Sequence, residues 1–154
     1  FGLRLVETEA GKEIPGSYWG ESEAGLVGAE LHARADTPVH SVLHETSHYV
    51  CMSGERRASL FRDAGGDDLE ECAVCYLQIL IGDSLCLDRE CLFQEMDRWG
   101  YSFRAGSAKA WFETDAEDAR AWLAAHQILL PNGSPSGSVA RACPPWATRG
   151  SRAR

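Results

Sequence analysis

The sequence predicts an α+β fold, with three or four helices packed against a small, mostly antiparallel sheet. Three observations predict it. Residues 26–34 alternate as a strand does, with Val27, Ala29, Leu31 and Ala33 on one face and Glu30, His32 and Arg34 on the other. Several later stretches carry helix start signals followed by apolar residues at helical spacing and by stops. The composition, 44% hydrophobic and 25% charged over 154 residues, is that of one globular domain rather than a fibrous or disordered chain.

Taken in order, residues 1–24 read as irregular, with one short strand near 3–7. The alternation at 26–34 follows. Asp36-Thr37-Pro38 then opens a helix over 38–53. Asp36 or Thr37 can cap it, Pro38 suits the first helical position, where a missing N–H costs nothing, and Gly54 ends it. Residues 55–66 read as a loop. Asp67 and Asp68 start a second helix that is apolar nearly all round, hence central, and Gly82-Asp83-Ser84 breaks it. A third helix spans 88–98, and Thr114-x-x-Glu117 reads as a capping box opening a fourth. The ordered domain is expected over 1–130. Residues 131–154, rich in Pro, Gly and Ser, read as a flexible basic tail.

Formal net charge is −8, and four arginines are the only charged residues after Pro131, so the acidity lies in the body of the chain. Such a body matches nucleic acid or anionic lipid poorly, and neither is expected as a partner. The longest apolar run, 72–77, falls far short of the roughly 18 residues a membrane helix needs. Phe1-Gly-Leu-Arg carries no apolar leader, so the expected location is cytoplasmic with reduced thiols. Cys72-x-x-Cys75 lies inside a helix without a second such pair, which favours buried structural cysteines.

One pattern carries chemistry. Residues 44–48 read His-Glu-Thr-Ser-His within the first expected helix. Residues four apart lie one turn apart on one face, so both imidazoles can reach one ion, while Glu45 is offset and can address a water on it. His40 cannot complete such a set, because it lies about 12 Å along the axis from His48 at 1.5 Å per residue. The first turn of the second helix offers Glu70 and Glu71. Glu71 shares a face with Cys75 and Gln78. Tyr49, Tyr76, Tyr101 and His126 are candidates for stabilising an oxyanion, and Arg104 or Lys109 for holding a substrate carboxylate.

His44-Glu45-Thr46-Ser47-His48, followed by Glu71-Cys72-Ala73-Val74-Cys75-Tyr76-Leu77-Gln78, resembles the gluzincin class of zinc metallopeptidases, and in size its small single-domain members, the minigluzincins. The resemblance covers roughly residues 26–81. It implies a zincin-like fold, Zn2+ held by His44, His48 and Glu71, Glu45 as general base, and a peptide or protein substrate extended along the strand at 26–34. Many gluzincins place Asp four residues after the ligand Glu, where this chain has Cys75, so the group orienting the imidazoles is left open. The metzincin variant needs His at position 54, which is Gly54. The alternative is a non-catalytic module in which zinc braces two helices and the acidic surface binds a partner protein.

Overall fold

A computed structural model of the chain describes residues 1–20 and 22–136. Its elements are β1 (Arg4–Glu7), β2 (Gly25–Val27), β3 (Glu30–Ala33), α1 (Val39–Cys51), α2 (Gly54–Ala58), α3 (Asp68–Ser84), α4 (Arg89–Arg98), α5 (Ala108–Thr114) and α6 (Glu117–Ala125). The class is α+β, with six helices and a mixed sheet of three strands in the order β1-β3-β2 among the described residues. No helix there is long and apolar enough to cross a membrane.

The sheet departs from expectation in two ways. The alternating stretch is a hairpin rather than one strand, because Gly28 turns the chain at φ +56 between β2 and β3. The sheet is also not mostly antiparallel, since β1 pairs with β3 in parallel, Arg4 opposite Glu30. β3 is therefore central. The outer side of β2 is covered as well: Gly28 donates to the Leu60 carbonyl at 2.9 Å and Arg62 to the Leu26 carbonyl at 3.1 Å. The edge expected to receive an extended substrate at 26–34 is thus occupied by the chain's own residues.

α3 is the core of the helical layer. Ala73, Val74, Leu77 and Ile79 are essentially inaccessible, and they pack with Leu43 and Cys51 of α1, with Leu92, Phe93 and Met96 of α4, and with Leu123 of α6. Asp67 caps α3 by accepting from the Glu70 N–H at 2.8 Å, as its position in the sequence implies. Four other local expectations need correction. Gly82-Asp83-Ser84 does not break α3, which runs through Ser84 with Gly82 packed closely against Leu92. Thr37 accepts from the Arg34 N–H and Asp36 pairs with Arg34, so neither caps α1, whose N-cap is Pro38. Gly54 opens the five-residue α2, which Ser53 caps. Thr114 closes α5, its hydroxyl donating to the Ala110 carbonyl, and so forms no capping box for α6. Residues 128–136 form a turn bridged between Leu129 and Pro135, and the rest of the expected tail lies outside the described residues.

Residues 14–20 and 22–24 fold onto α1 and form one lip of a cleft. Ala24 donates its N–H to the Ser41 hydroxyl at 2.9 Å, and the buried Glu23 carboxylate accepts from the Ser17 hydroxyl and the Trp19 N–H. The lip depends on a close backbone crossing, because a Cβ on Gly25 would lie 2.3 Å from the Pro15 carbonyl oxygen and the Ser17 nitrogen. Gly25→Ala should therefore cost at least about 2 kcal/mol of stability in chemical denaturation. Gly54→Ala, where an added methyl meets nothing within 4 Å, should change stability by less than about 1 kcal/mol. Equal effects at the two sites would contradict the crossing.

Candidate metal centre

α1 presents His44 and His48 one turn apart with their rings nearly perpendicular, and the two Nε2 atoms stand 3.1 Å from each other. α3 packs beside α1 and brings Glu71 to them. Its Oε1 lies 3.4 Å from His44 Nε2 and its Oε2 lies 3.3 Å from His48 Nε2. A tetrahedral cation with arms of about 2.0–2.1 Å spaces its ligand atoms about 3.3 Å apart. Each of the three contacts is close to that edge, with a different Glu71 oxygen facing each ring, and two imidazoles with a carboxylate form a donor set suited to zinc.

Glu70 goes elsewhere. Arg56 donates to both of its carboxylate oxygens at 2.8 Å. The pair at 70 and 71 thus splits, one acid tying α2 to α3 and the other facing the histidines.

Gln78, two turns beyond Glu71 on the same face and fully buried, orients His44. Its Oε1 lies 3.0 Å from His44 Nδ1, while its Nε2 donates to the His40 carbonyl at 3.5 Å. An amide oxygen only accepts, so His44 carries its proton on Nδ1 and turns the Nε2 lone pair toward Glu71. His40 is a supporting residue: it is buried, its Nδ1 is 3.1 Å from Glu95 Oε2, and its ring meets the edge of Trp99.

The charges follow from this geometry. Burial, followed by the charge of His48, pushes His44 down to about 4, since two rings in contact cannot both hold an extra proton. Burial also opposes charging His48, but the hydrogen bond and charge of Glu71 outweigh it and raise His48 above its ordinary value. Burial raises Glu71, yet the hydrogen bond from His48 and the charge of both rings bring it below the usual carboxylate range. Glu45, half-buried on the same cleft, is pushed up to about 7, by burial first and then by Glu23 and Glu71 against the pull of His48.

The cleft holds about 550 Å³, and His44, Glu45, His48, Glu71 and Tyr101 line it. Tyr101 is the one of the four oxyanion candidates placed there, its ring 5.3 Å from that of His44, and burial raises its phenol so that it stays protonated. Tyr49 sits in the small second core, Tyr76 stacks on Phe112, and His126 stacks on Trp122. Arg104 and Lys109 are committed to Asp115 and Glu90 respectively, away from the cleft. Cys75 adds a sulfur 3.9 Å from Glu71 Oε1, and donor atoms of His44, Glu71 and Cys75 all lie within 4.8 Å of one another. Four thiols, Cys51, Cys72, Cys75 and Cys91, are free, whereas Cys86 is disulfide-bonded, contrary to the expectation of uniformly reduced thiols.

Replacing Gln78 with Leu should leave the helical circular dichroism intact and weaken Zn2+ binding about 10- to 100-fold in competition with a chromophoric chelator. Glu71→Gln should weaken it at least as much, and Glu70→Gln by no more than about 2-fold. Comparison of the chain with protein-family models, with curated proteins and with solved structures finds no match.

Proposed function

We propose that the chain is a zinc-dependent metallopeptidase of zincin-like construction, in which His44, His48 and Glu71 hold the ion and Glu45 is the general base. The observation that carries this reading is the meeting of two imidazole nitrogens and the two oxygens of one carboxylate, at contacts of 3.1–3.4 Å, on the wall of an open cleft. Zinc bound there would acidify a water toward neutral pH and polarise a peptide carbonyl.

The chain's own residues supply the rest. Gln78 holds the tautomer that leaves His44 Nε2 free to bind. Glu45 stands beside the ligands without being spent on them, and its carboxylate, placed near neutrality by burial, can take a proton and return it to a leaving amine. Tyr101 keeps its phenolic proton and is the cleft's neutral donor for charge developing on a carbonyl oxygen. The substrate class is a peptide or protein segment lying in the cleft, bounded by the lip that carries Tyr18 and Trp19.

The alternative, a non-catalytic module in which the ion braces α1 against α3, draws on Cys75 beside the same donors. Turnover separates the two. Zn2+-loaded protein should cleave members of an unstructured peptide library, a chelator should stop it, and Glu45→Gln should lower the rate at least about 100-fold with zinc still bound. Stoichiometric zinc without cleavage of any peptide would favour the brace.

The pH dependence of zinc affinity is also specified. His44 is already neutral above about 4, so in the double variant Glu45→Gln, Cys75→Ser, which carries no thiol to deprotonate at the seat, only His48 must lose a proton near neutrality. Affinity should be level above the His48 titration, which lies above its ordinary 6.5, and fall about 10-fold per pH unit below it. A fall of about 100-fold per unit between pH 5 and 6 would show both rings protonated and contradict the assignment.

A further inference from the structure

The sulfur of Cys75 lies against the candidate cation seat rather than in a purely apolar part of the core. Cys75 is one turn after Glu71 on α3 and is almost fully buried, and its Sγ approaches Glu71 Oε1, the same oxygen that faces His44 Nε2. The two donor sets, His44 with His48 and Glu71, and His44 with Glu71 and Cys75, share the His44–Glu71 edge. A zinc ion with an S arm of about 2.3 Å and an O arm of about 2.1 Å spaces these atoms about 3.6 Å apart. The observed 3.9 Å is a few tenths longer. By contrast, Cys72 is only partly buried, and Cys51, the last residue of α1, is not among the donors that meet His44 and Glu71.

We propose that Cys75 is a further ligand on this seat, so that the chain binds a thiophilic divalent cation through His44, Glu71 and the Cys75 thiolate together with His48. This rests on the metal-binding part of the function proposed above and adds a donor to it. On binding, the S–H bond breaks, the proton leaves to solvent and a metal–sulfur bond forms, with no change of oxidation state. A soft sulfur donor biases the seat toward Zn2+, Co2+ or Cd2+ and away from Mg2+, Ca2+ or Mn2+. It also gives the ion a ligand on the side of Glu71 away from the cleft, where Cys75 borders a second, largely apolar cavity of about 520 Å³ with Tyr101 and Trp111. A tetrahedral ion held by these four side chains would have no room for a water, so turnover would then require a fifth position facing the main cleft.

The test uses the full chain loaded with one equivalent of Co2+. The expected result is a near-ultraviolet thiolate-to-cobalt charge-transfer band in the wild type that Cys75→Ser removes, while the visible ligand-field bands persist. Cys72→Ser should keep the charge-transfer band. The preference for Cd2+ over Zn2+ should fall roughly 10-fold or more in Cys75→Ser. Should that variant fail to fold, X-ray absorption of the zinc-loaded wild type decides, with one sulfur neighbour expected at about 2.3 Å. Cobalt or zinc bound with nitrogen and oxygen neighbours only would overturn the thiolate ligand and leave the peptidase proposal standing. Failure of either metal to bind would overturn both.

Discussion

The packing of α1 against α3 is the constraint on which the site depends. Two imidazoles four residues apart make at most half of a metal centre, and an isolated helix holds them only as well as its own turns hold. Here the helix bearing them lies on the most buried helix of the molecule, whose Ala73, Val74 and Leu77 pack with Leu43 and Cys51. That apolar contact fixes the rotation of each helix about its axis. It thereby sets Glu71 and Gln78 opposite His44 and His48, and the same rotation turns Glu70 to Arg56. A polar cluster on one side of the interface is thus placed by apolar packing on the other.

Electrostatics then differentiates chemically similar groups. His44 and His48 are the same residue one turn apart, yet one is held neutral by burial and by its neighbour's charge, and the other is drawn toward protonation by a carboxylate. Glu45 and Glu71 are both acids on one cleft. Glu71 faces two rings and stays ionised, while Glu45 faces other carboxylates in a half-buried position and titrates near neutrality. Unequal environments of this kind separate a group that holds an ion from a group that exchanges protons.

The long helices were legible in the sequence because each combines a start signal with several turns of apolar spacing. α1 therefore falls close to where 38–53 indicates, α3 starts where Asp67-Asp68 indicates but runs on through the break expected at 82–84, and the face shared by Glu71, Cys75 and Gln78 was readable from spacing alone. What was not legible is what depends on partners distant in sequence or on very short elements. α2 and α5 have five and seven residues, too few for a periodic signal. Gly28 sits inside an otherwise regular alternation, so the hairpin read as one strand. That β3 is central follows from Arg4–Glu7 pairing with it from the far end of the chain. The choice of Glu71 over Glu70 needed Arg56. The role of Gln78 needed the crossing of two helices, and Tyr101 reaches the cleft from the loop after α4, where no motif marks it.

The central claim is that three side chains from two helices converge on one cation. Anomalous diffraction from crystals grown with stoichiometric Zn2+ tests it most directly. The account requires a single peak within about 2.0–2.2 Å of His44 Nε2, His48 Nε2 and a Glu71 oxygen. A zinc peak elsewhere, or well-ordered imidazoles with Glu71 turned away from them and no ion between, would contradict it.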